Sequence, residues 1–155
     1  MKLYIGMISL TIALLYVFVT GYASGLALNE VAIDELFRTG ITMPAENFFE
    51  IAWSGIYFLQ IALLTATIAD RKLRKYFPLW MVSGALGITC CHAFFSGEYI
   101  FSLGIIIELS LISMLLCRKY IEKSRLLWVF QAPITIWYLY LSVVNFMVVA
   151  AKFSA

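Results

Sequence analysis

Five long apolar stretches, separated by short polar ones, dominate the pattern of this chain. Each is close to the length of roughly 17–25 residues that an α-helix needs to cross the hydrocarbon core of a bilayer. None of the stretches alternates apolar and polar residues as a membrane β-strand does, so helices are expected. The predicted helices cover residues 3–25, 48–69, 77–95, 99–117 and 126–149. The pattern predicts an all-α integral membrane protein, a single domain formed by a bundle of five transmembrane helices.

The composition supports this class of protein. The 155 residues are 63% hydrophobic and only 13% charged, with a mean hydropathy of +0.94. A soluble domain of this length needs more charge to cover its surface. The formal net charge of +2 is too small to indicate a nucleic-acid partner. The expected partner of the surface is therefore the lipid bilayer.

The first apolar stretch has two features that signal peptides also have. Lys2 precedes it, and the small residues Ala23, Ser24 and Gly25 follow it. The apolar stretch is longer than the usual core of a signal peptide. We therefore expect it to be retained as the first transmembrane helix.

Basic residues predict the orientation in the membrane. Nine of the eleven precede the first helix or lie in the second and fourth connections: Lys2, Arg71, Lys72, Arg74, Lys75, Arg118, Lys119, Lys123 and Arg125. The positive-inside rule then predicts a cytoplasmic N-terminus and a C-terminus outside, in a bacterial inner membrane or an organelle membrane. The acidic connection 28–47 lies outside in this topology, as a cap. We interpret the basic clusters as topology signals and not as a binding patch.

The sequence has few residues suited to catalysis or metal binding. His92 is the only histidine, so one chain cannot supply a bis-histidine haem site. His92 follows Cys91, but neighbouring helical residues point in different directions and are not expected to act as a nucleophilic pair. Cys90, Cys91 and Cys117 are interpreted as small buried apolar residues. We predict no catalytic or metal-binding residues and no required cofactor.

Glu108 lies in the middle of the fourth predicted helix, between Ile107 and Leu109. A carboxylate at this depth is costly unless it is paired or hydrated. We therefore expect the side chain to face the bundle interior or a cavity. It is either a polar contact in a ligand or proton site, or a protonated group bonded to another helix.

Aromatic residues at helical spacing mark the second and fifth predicted helices. Phe49, Trp53 and Tyr57 recur at every fourth position and form one stripe. On the fifth helix, Trp137 and Asn145 lie on roughly one side. Such stripes usually serve packing, but they also suit a ring-shaped ligand. The other two tryptophans lie near helix ends, where the residue ordinarily anchors a helix at the membrane interface: Trp80 and Trp128.

Three spacings together resemble the translocator protein family, also called tryptophan-rich sensory proteins or TspO. The segment from Pro44 to Tyr57 has the form P-x4-F-x3-W-x3-Y. The segment from Pro133 to Asn145 has the form P-x3-W-x7-N. Phe94–Phe95–Ser96–Gly97 is similar to the FFG element of the family. The resemblance covers nearly the whole chain and includes the five helices and the long first connection.

The chain departs from the family pattern at several positions, which indicates a divergent member. Cys90, Cys91 and His92 stand where the family often has an Asn and a Trp before the FF pair. Ala45 replaces a second proline, and the first connection lacks the expected Trp-Tyr and Lys-Pro elements. Glu108 matches the acidic residue of the fourth helix only with a shift of about two positions.

The resemblance implies a ligand cavity inside the bundle, capped by the 28–47 connection. Family ligands are porphyrins, sterols and benzodiazepine-type compounds, so a haem-like tetrapyrrole is a possible ligand. By matching positions, Trp53, Trp137 and Asn145 would line the cavity. Phe49, Tyr57, Phe94 and Glu108 are further ligand-binding candidates. The family also includes dimers built on the third helix, where this chain has small residues at Ser83 and Gly87. A homodimer through that helix is expected.

Three functions are compatible with the sequence. The first is a receptor or transporter that binds porphyrins, sterols or similar apolar ring ligands. The second is a small structural or assembly subunit of a membrane complex, in which the aromatic residues serve packing alone. The third, a porphyrin-modifying membrane enzyme, has the least support because no conventional catalytic constellation is present. A cavity at Trp53 and Trp137 favours a ligand, and a solid core there favours the structural subunit.

Overall fold

Within residues 2–27 and 46–154, the chain forms five helices that are long and apolar enough to cross a membrane. A computed structural model describes residues 2–27 and 46–154. The helices are α1 (Lys2–Gly25), α2 (Glu46–Ala69), α3 (Phe77–Phe95), α4 (Tyr99–Lys123) and α5 (Arg125–Ser154). A short 3₁₀ turn, Arg74–Tyr76, precedes α3. The prediction of an all-α bundle with five membrane-spanning helices is confirmed.

Two helices extend beyond their predicted ends. The apolar stretch of α4 stops near Cys117, but the helix continues to Lys123. Ion pairs from Arg118 and Lys119 to Glu122 connect residues on this last turn and a half. Helix α5 likewise continues past residue 149 to Ser154. Helix geometry does not end where hydropathy changes, because a charged turn can lie at the membrane surface.

The surface of the bundle is apolar. Large side chains such as Leu3, Ile51, Phe58 and Phe101 are more than half exposed. In each span, the most apolar 18-residue window is at most 39% buried. These faces have no water-compatible covering and match the hydrocarbon of a bilayer. The chain is a multi-pass membrane protein.

The helices close into a ring in the order α1, α2, α5, α4, α3. Helix α1 contacts α2 and α3, α2 contacts α5, and α4 contacts both α5 and α3. The contact between α4 and α5 is the most extensive. Tyr16 and Thr20 on α1 lie against Gly84 on α3, where a Cβ atom would come within 2.7 Å of the Tyr16 ring. Gly84 therefore permits the close approach of these two helices.

A hydrogen-bonded cluster holds together the half of the bundle that lies near the basic connections. Trp80 Nε1 donates to Tyr120 Oη at 2.9 Å, and Tyr120 also hydrogen-bonds Thr67. Tyr16 Oη donates to the carbonyl oxygen of Trp80 at 2.8 Å. Trp80 is only 2% exposed. Its predicted role as an interfacial anchor is therefore wrong, because its indole N–H finds a partner inside the protein.

The turn between α3 and α4 requires a glycine. Gly97 has a φ of +83°, in the left-handed region that residues with a Cβ rarely adopt. The amides of Gly97 and Glu98 donate to the carbonyls of Phe94 and Ala93 and satisfy the end of α3. The chain thereby reverses over Ser96–Gly97–Glu98, as the sequence predicts.

The two basic connections lie at the same end of the bundle. Lys123 Nζ lies 2.7 Å from Asp70 Oδ2 and joins the end of α4 to the end of α2. The backbone amide of Lys72 also donates to Asp70 at 2.7 Å. The residues of the two basic connections thus share one end, as the topology argument requires, and Lys152 lies at the other end beside Tyr99.

This ion pair gives a prediction about pH. The Lys123 hydrogen bond, followed by the Lys72 amide, lowers the pKa of Asp70 below its usual value. A carboxyl group whose pKa is lower in the folded state contributes stability above its unfolded pKa and loses it as pH falls through the folded value. Acid should therefore lower the free energy of unfolding by about 0.2–1 kcal/mol, the usual contribution of an exposed ion pair. The thermal midpoint in detergent should decrease accordingly. Asp70→Asn should show a smaller acid-induced decrease, and an identical decrease would contradict this role.

Candidate functional site

Trp53 and Trp137 meet inside the bundle, between α2 and α5. Their ring centroids are 5.6 Å apart and the rings are nearly perpendicular, at 81°. This edge-to-face geometry is a favourable arrangement of aromatic rings. The tryptophans face each other, as expected, but the expectation of a cavity between them is wrong because the rings are in contact.

The pair belongs to a larger cluster of rings, here called the aromatic cluster, formed by Phe48, Trp53, Tyr57, Trp137 and Tyr140. Tyr57 lies 5.5 Å from Trp53, and Tyr140 stacks on Trp137 at 5.5 Å. Phe48 contacts both Trp137 and Tyr140. These rings fill the space between α2 and α5 on the side of the bundle opposite to the basic connections.

A cavity of about 60 Å³ adjoins the aromatic cluster. Trp53 and Tyr57 form one wall, while α1, α3, α4 and α5 supply the others. A space of this size holds a few water molecules, whereas sites for drug-sized ligands measure roughly 300–1,000 Å³. The cavity as it stands is therefore too small for a porphyrin or a sterol.

The wall of the cavity is more polar than the membrane around it. It includes two tyrosine hydroxyls, a buried amide and a thiol, from Tyr57, Tyr138, Gln60 and Cys91. Gln60 Nε2 donates to Tyr138 Oη at 3.3 Å, across α2 and α5. Buried polar groups in a membrane protein favour interior positions where they find partners. The cavity thus combines ring faces with hydrogen-bonding groups.

Sequence reasoning missed most of this wall. Tyr16 and Tyr138 line the cavity, but neither was singled out among the apolar residues around it. Tyr138 directly follows Trp137 and places a hydroxyl in the middle of an apolar span. This position is the one sequence signal that could have identified Tyr138. Cys91 was interpreted as a buried apolar residue, yet it also lines the cavity.

Asn145 does not line the cavity and serves a different contact. Its Oδ1 accepts a hydrogen bond from Ser102 Oγ at 3.0 Å, and its Nδ2 donates to the carbonyl of Leu141. The side chain is 6% exposed. Asn145 therefore joins α5 to α4, and its position does not support the ligand role implied by the family resemblance.

Two further candidates lie away from the cavity. Phe94 packs against Phe95 and Tyr99 at the turn between α3 and α4. Glu108 is exposed on the face of α4 that points away from the bundle interior, where an open groove lies. Of the two expected positions, the bundle interior is wrong, and Glu108 instead lines this open groove. Hydropathy alone does not show which face of α4 carries the residue.

The neighbouring Cys91 and His92 point in different directions, as predicted. Cys91 lines the cavity, whereas His92 is exposed and its Nε2 lies 3.1 Å from the carbonyl oxygen of Ala23 on α1. Within residues 2–27 and 46–154, no group of three or more His, Cys, Asp or Glu side chains is arranged to bind a metal.

Some predicted site features lie outside the described residues. Phe49 belongs to α2, but its side chain is not part of the described structure. The same holds for the 28–45 part of the connection that was predicted to cap the site. The role of Phe49 and the cap over Trp53 and Trp137 stay predictions.

The small residues of α3 face inward. Ser83 is 7% exposed, and Gly87 lines the cavity beside Gly84. Ser83 and Gly87 both line the cavity inside the bundle, so this pair of small residues is not placed for the contact with a second copy that was proposed. The homodimer itself stays a prediction without this contact.

The fold therefore defines a multi-pass membrane protein with a small cavity between its helices, lined by aromatic, aliphatic and polar side chains. No family model, curated protein or solved structure matches the chain. The resemblance to the translocator proteins accordingly stays a proposal based on the spacings of its residues.

Proposed function

We propose that this membrane protein binds a flat, amphipathic ring compound, of the porphyrin or sterol type, at the aromatic cluster and the adjoining cavity. The observation that carries the proposal is the position of Trp53. Its ring contacts Trp137, and the residue also forms part of the wall of the adjoining cavity. A ligand at this point would have ring faces for stacking and hydroxyl and amide groups for its polar edge.

Binding requires the side chain of Trp53 to move. The cavity of about 60 Å³ is too small alone, and the indole separates it from the rest of the aromatic cluster. Rotation of Trp53 would enlarge the cavity toward Trp137 without displacing a helix. Rotamer changes of this kind are common when a ligand site forms. The resemblance to the translocator proteins supports the same ligand class.

We also propose the orientation with the N-terminus in the cytoplasm. The shared position of the two basic connections, joined by the Asp70–Lys123 ion pair, supports it. The aromatic cluster then lies toward the outside. A ligand would reach it from that face or from the outer leaflet of the bilayer.

The proposal is tested by titrating the purified protein, in lipid nanodiscs, with protoporphyrin IX. The absorbance of the porphyrin reports binding, so variants that lack a tryptophan can be compared directly. Trp53→Leu and Trp137→Leu should each weaken binding by about 0.5–1.5 kcal/mol, the contribution of an aromatic pair beyond burial. This corresponds to roughly a 2- to 12-fold increase in Kd.

Trp128→Leu is the matched control, because Trp128 is partly exposed on α5 and lies near the basic end of the bundle. Its affinity should equal that of the unmodified protein. Thermal unfolding of each variant separates a loss of binding from a loss of fold. Unchanged affinity in the single variants and in the double variant would refute the site.

The direct contact between Trp53 and Trp137 favours a second candidate, a structural or assembly subunit of a membrane complex. In that case the aromatic cluster only holds α2 against α5. Both tryptophan variants would then lose stability, and the protein would show no saturable binding of the porphyrin. The same titration and unfolding measurements therefore distinguish the two functions.

A further inference from the structure

Glu108 occupies the middle of the membrane. It is ten residues from Glu98, at the outer turn, and ten residues from Arg118, the first basic residue of α4. At 1.5 Å per residue it lies about 15 Å from each. The hydrocarbon core is roughly 30 Å thick, so Glu108 is close to its midplane.

The Glu108 side chain is exposed on the bundle at this depth. Its helical neighbours are apolar, and Ile107 and Leu111 beside it are also exposed. Ionisable side chains within membrane spans are rare, and they almost always face a protein interior or pair with another group. The exposed position of Glu108 therefore indicates a surface that another protein covers.

An open groove lies next to Glu108. This groove, of about 1180 Å³, runs along α3 and α4 from the Ser96–Gly97–Glu98 turn, where Lys152 and Phe153 of α5 also line it, to Glu108. Gly104 lies one turn from Glu108 on the same face, and a Cβ atom built there has no neighbour within 4 Å. A glycine at such a position lets the backbone of a second helix approach closely.

A second copy of this chain would not provide a positively charged partner for Glu108. Copies related by a two-fold axis along the membrane normal place residues of equal depth together. Among the described residues, every Lys and Arg lies outside a span or within about a turn and a half of its end, and none lies near the depth of Glu108. A second copy would bring another Glu108 to the axis and no positive charge.

We propose that the groove binds a transmembrane helix of a different protein, one that carries a Lys or Arg near its midpoint. The basic side chain pairs with Glu108, while the helix backbone passes over Gly104. This pairing removes both charges from contact with lipid and fixes the depth of the partner. The inference does not depend on the proposed ligand, because the groove and the cavity share no lining residue.

The test uses designed helices of about 20 leucine and alanine residues, a length that spans the bilayer. Three probes carry Lys, Leu or Glu at the central position and are otherwise identical. Energy transfer between the labelled probe and the labelled full-length protein, in vesicles of neutral lipid, measures association. The Lys probe should bind about tenfold more tightly than the Leu probe, as expected for a hydrogen-bonded pair in the membrane.

Two variants of Glu108 test the charge. Glu108→Leu should reduce binding of the Lys probe to the level of the Leu probe. Glu108→Lys should reverse the preference and select the Glu probe. Because Glu108 is exposed, neither change disturbs the interior, and thermal unfolding checks that the fold is retained. Equal binding of the Lys and Leu probes to the unmodified protein would overturn the proposal.

Gly104→Leu tests the groove itself and should abolish the preference for the Lys probe. Gly55→Leu is its matched control, because Gly55 is an exposed glycine on α2 and also has no neighbour within 4 Å of a built Cβ. If both variants weaken binding equally, the groove is not the site. Self-association of the protein that Glu108→Leu removes would instead assign the surface to a second copy and would also overturn the proposal.

Discussion

Gly84→Ala should lower the free energy of unfolding by about 1–3 kcal/mol, the usual cost of adding volume to a filled interior. The new Cβ would lie 2.7 Å from Cε2 and Oη of Tyr16 and 2.9 Å from Cγ2 of Thr20. Tyr16 cannot move away easily, because its hydroxyl bonds the Trp80 carbonyl and its ring packs edge-on against the Trp80 ring. Helices α1 and α3 would have to separate.

The measurement is unfolding in mixed micelles with increasing denaturing detergent, followed by circular dichroism and tryptophan fluorescence. Gly87→Ala is the control, since a Cβ at Gly87 has no neighbour within 4 Å. Alanine favours a helix more than glycine does, so this control should be neutral or slightly stabilising. Equal stability of the two variants would contradict the close contact between α1 and α3.

Tyr120→Phe should also cost about 1–3 kcal/mol of stability, because it removes one oxygen that serves two buried groups. Trp80 Nε1 would lose the acceptor at 2.9 Å, and Thr67 would lose its contact with the hydroxyl. Thr67 keeps its bond to the Leu63 carbonyl, so the indole N–H bears most of the loss. Tyr120 is fully buried, and water cannot replace the oxygen.

A double-mutant cycle separates this hydrogen bond from packing. Tyr120→Phe, Trp80→Phe and the double variant are compared by the same unfolding measurement, with the exposed Tyr4→Phe as control. Once Trp80 is absent, Tyr120→Phe should cost clearly less. Additive effects of the two changes would mean that the indole and the hydroxyl do not stabilise each other.

The number of helices and their positions along the chain could be predicted, because bilayer thickness fixes the length of an apolar span. The ends of α4 and α5 could not, since a charged turn such as Arg118–Lys123 continues a helix beyond the hydrocarbon. Trp80 shows a further limit of such reasoning. Its place near a helix end matched an interfacial anchor, but Tyr120, forty residues later, provides the partner that accounts for its burial.

The least predictable property was which side chains of each span point to the bundle interior and which point to the lipid. A soluble helix shows its buried side by an apolar stripe, but a membrane helix is apolar on all sides. The meeting of Trp53 and Trp137 was predicted from their similar depth, the polar residues near each of them and the positions that they share with the translocator protein pattern. The inward position of Tyr138 and the outward position of Glu108 depend on helix rotation, which hydropathy does not encode.

The contact between α4 and α5 has a consequence for how the chain enters the membrane. Along this contact, Ser102 bonds Asn145, Ser110 bonds Ser142, and Ser113 bonds both Thr135 and Gln131. Each of these side chains would be costly in lipid without a partner. Ser124 alone separates the two helices, so they can insert together as a hairpin. If the two helices insert together, their polar groups find partners before they reach the hydrocarbon. Helices α1, α2 and α3 can then pack against an α4–α5 pair whose polar groups are already hydrogen-bonded.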